Sequence, residues 1–158
     1  MEVLRDLTYT INNVLKIRGL FANSELRDVV ERLDKYIEVN GAKKQGELIT
    51  ATHVLYLESK ISDIEIFMPI NKIIPSNDEF IYIPIFNLPE CIMTKHKGHP
   101  SFLPITYTKL YRNAKSVGLE IEPPFYNIFS EATGDVFNLN ECEAKVYVAT
   151  RSSSSDIC

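Results

Sequence analysis

His96 and His99 are the residues of this chain whose chemistry is easiest to name, because an imidazole can ligate a metal ion or act as a general base. They lie close together in MTKHKGHPSFLP, residues 93–104. A zinc site would need a third ligand, and neither Cys91 nor His53 stands at a recognisable ligand spacing. A catalytic His96 would need a partner that the sequence does not identify. We therefore predict no metal, no cofactor and no catalytic residue, and interpret the stretch as a turn between a strand and a helix.

Two strand-like segments, ISDIEIFMPI (residues 61–70) and ECEAKVYVAT (residues 141–150), carry the main candidates for a ligand site. Successive side chains of a strand point to opposite faces, so the apolar row of each segment should pack under a helix. Those rows are Ile64, Ile66 and Met68 in the first segment and Ala144, Val146 and Val148 in the second. The opposite face then carries the predicted ligand-binding residues Glu65, Phe67, Lys145 and Tyr147. Aromatic walls with a few charges are typical of small-molecule sites.

The strand-like segment before the first of these, GELITATHVLYLE (residues 46–58), adds a fifth candidate. Its residues Ile49, Ala51, Leu55 and Leu57 are predicted to face the helix. The same alternation then puts Thr52, Tyr56 and Glu58 on the ligand face. Tyr56 is therefore also predicted to bind the ligand.

The charges of Glu65 and Lys145 leave the charge of the ligand open. A buried carboxylate among aromatic rings attracts an organic cation, which would make Glu65 the anchor. If Lys145 neutralises Glu65, a neutral or zwitterionic ligand is favoured instead. Both side chains could also be solvated charges on an exposed sheet face, without any ligand.

The elements that must position these residues occur in the same order twice. A strand from Leu7 to Gly19 is followed by a helix that ends at Gly41 and by two further strands. After a connector, a strand ends at Gly98, a helix ends at Gly118, and two more strands follow. The separation is 79 residues from Gly19 to Gly98 and 77 residues from Gly41 to Gly118, which indicates an internal repeat.

The connector contains EFIYIPIF (residues 79–86), which we predict to be an edge strand because the nitrogen of Pro84 cannot donate to a ladder. Exposed, this edge around Tyr82 could contact a protein partner.

Composition excludes several classes of protein. The chain has 158 residues, 45% of them hydrophobic, with 17 basic and 21 acidic side chains and a net charge of -4, so nucleic-acid binding is not expected. The first residues lack the apolar core of a signal peptide, and no apolar run is long enough to cross a membrane. Three cysteines without a CxxC pair argue against a disulfide framework. These features indicate a cytoplasmic protein.

The ordered set of motifs CIMTKHKG (residues 91–98), PPFYNIFSEATGD (residues 123–135) and AKVYVAT (residues 144–150) resembles the GyrI-like family. That family includes the DNA gyrase inhibitory protein and the effector-binding domains of bacterial multidrug-sensing transcription activators. The resemblance implies an α+β fold in which a tandem, pseudo-symmetric repeat of strand, helix, strand and strand forms one curved antiparallel sheet. Both helices would lie on one face and a groove for small aromatic or amphipathic molecules on the other. Lys145 departs from the pattern of the gyrase inhibitory protein, which has an acid there.

The resemblance covers roughly Leu7 to Arg151 and predicts one domain over residues 1–151, made of two repeats at about 7–70 and 86–151. Residues 152–158 are expected to be a disordered tail. Only a few residues precede the first strand, so a freestanding domain without a DNA-binding segment is expected.

Three functions are consistent with these residues. The leading hypothesis is a non-catalytic small-molecule-binding protein with a groove lined by the five residues named above. The second is a protein-interaction module that docks a partner through the sheet face or the Tyr82 edge. The third is a small-molecule hydrolase in which Glu65 acts as general base and Tyr147 or Tyr56 donates a hydrogen bond.

Overall fold

A computed structural model describes residues 2–56, 58–130 and 142–152 of the chain. Within these ranges it has six strands and two helices, which confirms the predicted α+β class. The elements are β1 (Val3–Ala22), α1 (Leu26–Val39), β2 (Ile49–Tyr56), β3 (Ile61–Pro69), β4 (Ile81–Gly98), α2 (Leu103–Ser116), β5 (Leu119–Phe129) and β6 (Cys142–Ser152). Neither helix in the described ranges has the length and apolar composition needed to cross a bilayer. The predicted tail lies outside the described residues from position 153 onward.

The chain divides into two compact units. The N-terminal unit is residues 10–86, and the C-terminal unit is residues 2–9 together with the described residues from 87 onward. Along the chain, the order of strand, helix, strand and strand occurs twice, as predicted. The internal repeat and the single-domain organisation themselves stay predictions.

In the N-terminal unit, β3 lies between β1 and β2, and both pairings are antiparallel. Helix α1 is amphipathic and buries Leu26, Val29, Leu33 and Ile37, whose three- and four-residue spacing puts them on one helix face. Gly41 follows its end with a φ of +73°, a left-handed conformation that glycine adopts without a steric penalty. The residues Ile64, Ile66 and Met68 of β3 are buried, as expected for the apolar row.

In the C-terminal unit, β6 lies between β4 and β5, again with antiparallel pairing. Helix α2 packs onto the sheet through one apolar cluster, formed by Ile92, Leu103, Leu110, Ala114, Val146 and Val148. Val146 and Val148 therefore face the helix, as predicted. By strand alternation, Lys145 and Tyr147 point to the face of this sheet that is opposite α2.

Two strand boundaries differ from the sequence prediction. Strand β1 continues through Gly19 to Ala22, and the missing side chain at Gly19 leaves room for the Phe21 ring, which would lie 2.8 Å from an added Cβ atom. The segment EFIYIPIF is not a separate edge strand, because most of it is the first half of β4. Pro84 has no backbone N–H group to donate to the ladder, but its fixed φ fits an extended backbone. The proline therefore does not end the strand.

Candidate functional site

Glu65 lies near the middle of β3 and is only 8% exposed. Its Oε2 atom accepts from Lys16 Nζ at 3.2 Å, and its Oε1 atom lies 2.5 Å from His53 Nε2. Both carboxylate oxygens are thus engaged within the N-terminal unit. A buried carboxylate needs such partners, because desolvating an unpaired charge is costly.

A β-bulge puts His53 beside Glu65. The register between β2 and β3 shifts between Thr52 and Val54, and His53 is the extra residue at that point. Sequence reasoning missed this contact, because a bulge changes which positions of a strand share a face. No residue type in GELITATHVLYLE indicates a bulge.

The bulge also corrects the predicted facing of β2. Ala51 lies opposite Glu65 and Ile49 opposite Phe67, so these two residues share the face of the predicted site instead of facing away from it. Thr52 lies opposite Ile64, on the other face, which is also contrary to the prediction. The prediction assumes a regular strand, whereas the extra residue at His53 reverses the alternation. The prediction for Leu57 lies outside the described residues.

After the bulge the alternation is reversed, so Tyr56 does share a face with Glu65, as predicted. Tyr56 lies opposite Ile61, which stands four residues before Glu65 on β3. Its side chain is 51% exposed. The partners of Glu65 among the described residues are Lys16 and His53, not the Tyr56 hydroxyl.

Phe67 is buried and packs edge-on against Phe86, with 5.1 Å between the ring centroids. Its ring is therefore covered by another ring of the same unit. The expectation of an open aromatic wall at this position is not met, because edge-to-face packing buries both rings.

Tyr147 is likewise buried, and its ring lies 4.7 Å from the ring of Tyr9 at an angle of 36°. Tyr9 is half-buried. On the neighbouring strands, Met93 of β4 and Tyr126 of β5 lie opposite Tyr147. The face opposite α2 thus has an aromatic and thioether floor in the C-terminal unit.

Lys145 is exposed on the same face and lies directly opposite Lys95 of β4. Neither lysine has an ion-pair or hydrogen-bond partner within residues 2–56, 58–130 and 142–152. The nearest acid along β6, Glu143, instead lies 3.7 Å from Lys97. Sequence reasoning missed Lys95, because a cross-strand neighbour is set by the register and not by its distance along the chain.

The histidines of the turn have structural contacts. The ring of His96 is buried, with Nδ1 at 2.8 Å from the Thr106 hydroxyl and Nε2 at 3.2 Å from the His99 carbonyl oxygen. The Nδ1 atom of His99 accepts from the backbone nitrogen of Ser101 and so caps a short turn before α2. No group of three metal-ligating side chains occurs among the described residues.

Tyr107 of α2 is partly buried and packs against the apolar cluster under this helix. Its ring stacks on Phe125 at 4.4 Å, and its hydroxyl donates to the Oδ1 atom of Asn127 at 2.6 Å. Burial raises the pKa of Tyr107 to about 12, because the phenolate would lose its hydration.

A cleft of about 390 Å³ lies in the C-terminal unit, within the usual size range of small-ligand sites. Its lining includes Asp6, Glu90, Cys91, Leu119 and Thr150. None of the five predicted ligand-binding residues lines this cleft. Its volume makes it a competing location that any binding experiment in this unit must distinguish.

No protein-family model matches the chain, and no curated protein matches its sequence. Solved structures do match its fold. The chain is similar to the EcmrR C-terminal domain with a TM-score of 0.67 and 14% identity, over 94% of this chain and 98% of that one. The chain has the GyrI-like fold. The fold implied by the resemblance is therefore confirmed, although identities this low carry no information on ligands.

Two further structures extend this result. EcmrR in a DNA complex gives a TM-score of 0.71 and 14% identity over 94% of this chain, which spans only 57% of that longer chain. A hydrolase from Listeria innocua gives a TM-score of 0.58 and 10% identity, over 95% of this chain and 91% of that one. The same fold therefore occurs in proteins described by different activities, so function must be argued from the site.

Proposed function

We propose that this chain is a cytoplasmic, non-catalytic protein that binds a small aromatic or amphipathic molecule, and not nucleic acid. The observation that carries the proposal is the face opposite α2, where the exposed Lys145 stands beside the paired rings of Tyr9 and Tyr147. Such a combination of apolar floor and exposed charge suits a molecule with a ring and a polar group. The GyrI-like fold supports the same reading through the family resemblance.

In the N-terminal unit, the proposal includes the face of Glu65, Phe67 and Tyr56. There the buried carboxylate already has Lys16 and His53 as partners. A cation would have to compete with Lys16 for the same oxygen. This face of the N-terminal unit therefore favours neutral contacts over the strong capture of a cation.

The test is a thermal-shift screen of the purified chain against aromatic cations, neutral compounds and anions. A ligand at about a hundred times its Kd stabilises the native state by about 2.7 kcal/mol, which raises the Tm of a domain of this size by about 5–11 °C. The shift should fall in Lys145→Met if the ligand binds the C-terminal unit, or in Glu65→Gln if it binds the N-terminal unit. It should persist in Lys109→Met, which removes an exposed charge from α2. A complete panel without any shift would contradict the proposal.

A small-molecule hydrolase is the second candidate, favoured by the contact between His53 Nε2 and Glu65 Oε1. A carboxylate that orients an imidazole is a recurrent part of hydrolytic sites. Against it, Lys16 and His53 already engage both oxygens of the Glu65 carboxylate, so a substrate would have to displace one of these partners. Measurable ester hydrolysis by the wild type that Glu65→Gln abolishes would favour the enzyme.

A protein-interaction module is favoured by one row of β4. Ile81 and Ile85 are 48% and 57% exposed, and Ile83 between them is half-buried. The hydroxyl of Tyr82, from the opposite row, is hydrogen-bonded to Asn13 within the N-terminal unit. An Ile85→Lys variant that loses binding of a captured partner, while keeping its Tm, would support this function.

A further inference from the structure

Lys95 and Lys145 form a cross-strand pair of like charges. They are Cα partners in the antiparallel β4–β6 ladder and point to the face opposite α2. Residues directly opposite in such a ladder have Cβ atoms about 4.5–5.5 Å apart, and like charges at that spacing repel. A fold that keeps this arrangement carries two ammonium groups that can reach a common point above the sheet.

Most other strand cations of the described ranges have a carboxylate partner, whereas this pair has none; Arg5 of β1 donates to the amide oxygen of Asn113 instead. Lys16 is paired with Glu65, Arg18 with Asp63, and Arg151 with Glu120. Within residues 2–56, 58–130 and 142–152, Lys95 and Lys145 have no such contact. An anion placed between them would remove the repulsion and gain two charge-assisted hydrogen bonds.

The surroundings of the pair are apolar on one side. Met93 and Tyr147, the next residues along the same face, are also directly opposite each other and are buried. The half-buried ring of Tyr9 packs against Tyr147. A molecule that spans this patch would need a ring over the Met93–Tyr147 pair and an anionic group over the Lys95–Lys145 pair. These are successive residue pairs on the same face of the ladder.

We propose that the Lys95–Lys145 pair selects an aromatic anion, a carboxylate or sulfonate attached to a ring, as the ligand of this face. This inference rests on the proposed function and narrows it to one charge class. The ring contacts Tyr9 and the edge of Tyr147, and the anionic group lies between the two ammonium groups. The Glu65 carboxylate does not oppose this preference, because Lys16 offsets its charge within its own unit.

The experiment compares three compounds that share a ring and differ in charge: naphthoate, naphthamide and naphthylmethylammonium. Isothermal titration calorimetry at pH 7 gives each Kd at low and at high salt. Naphthoate should bind most tightly, and its affinity should fall as salt rises because the lysines are exposed. Naphthamide should show little salt dependence, and naphthylmethylammonium should bind most weakly.

Variants locate the effect. Lys95→Met and Lys145→Met should each raise the Kd of naphthoate about tenfold, as expected for the loss of one charge-assisted hydrogen bond. Neither should lower the Tm of the ligand-free protein, because each removes a repulsion. Lys109→Met, the same substitution on an exposed position of α2, should leave the Kd unchanged. Backbone amide shifts on adding naphthoate should be largest near these two lysines.

Each other result has a distinct meaning. If naphthamide or naphthylmethylammonium binds as tightly as naphthoate, the anion preference is wrong while the proposed function stands. If naphthoate binds but both lysine variants keep the wild-type Kd, the anion site is elsewhere; amide shifts at Leu119 and Thr150 would place it in the cleft. If none of the three compounds binds and the wider screen is also negative, both proposals fail.

Discussion

Replacing Glu65 by glutamine should destabilise the protein by about 2 kcal/mol, because it removes a partly buried ion pair without changing the shape of the side chain. The glutamine carbonyl can still accept a hydrogen bond from His53, so the substitution isolates the contact with Lys16. The paired side chains of Lys16 and Glu65 are 25% and 10% exposed, between the surface and buried cases. Hydrogen bonds to charged groups contribute about 1.5–3 kcal/mol at such sites.

The assay is urea and thermal unfolding of wild type and Glu65→Gln at pH 7. A loss of about 2 kcal/mol lowers the Tm of a domain of this size by about 4–8 °C, with no change in the denaturant m-value. A double-mutant cycle of Glu65→Gln and Lys16→Met should give a coupling energy of about 1–2 kcal/mol, because the two side chains are in direct contact.

The matched control lies two residues away on the same strand pair. Arg18 and Asp63 form the same diagonal contact between β1 and β3, but the Arg18 side chain is 48% exposed. Asp63→Asn should therefore lower the Tm less than Glu65→Gln does. An equal or larger effect of Asp63→Asn, or an unchanged Tm in Glu65→Gln, would refute the argument from burial.

The remaining predictions concern groups whose pKa values are raised by burial. The native state favours neutral Tyr107, so the stability that this residue contributes is present below pH 10 and is lost as the pH rises toward about 12. In Tyr107→Phe, the free energy of unfolding should therefore depend less on pH between 10 and about 12. Desolvation raises the pKa of the Cys91 and Cys142 thiols. In a Cys158→Ser variant, the thiols of Cys91 and Cys142 should react with Ellman's reagent at neutral pH only after denaturation. Two fast-reacting thiols in the native protein would contradict their burial.

Strong local signals in the sequence predicted the elements well. The apolar spacing of α1 and α2, and the glycines at 41 and 118 with positive φ, placed both helices and their ends. The alternation of the last strand put Val146 under α2 and Tyr147 on the other face, because β6 is regular over that stretch. The predicted break between EFIYIPIF and the following strand was wrong, since a proline weakens a ladder without ending an extended backbone.

The candidate site was predicted only in part. Residue types and alternation were enough to select Glu65, Phe67, Tyr56, Lys145 and Tyr147 as candidates. The partners that determine their chemistry lie far away in the chain: Lys16 is 49 residues from Glu65, and Lys95 meets Lys145 only through the β4–β6 register. The rings that pack on Phe67 and Tyr147, those of Phe86 and Tyr9, lie 19 and 138 residues away along the chain.

The amino-acid sequence by itself determined the order of elements, the apolar faces of the helices and most of the inward rows of the strands, because these follow from periodicities within each segment. The tertiary structure decided which charges meet. A one-residue bulge at His53 and the pairing of β4 with β6 fix whether a charged side chain finds an opposite charge or a like one. Register depends on contacts summed over a whole sheet, so no single segment encodes it.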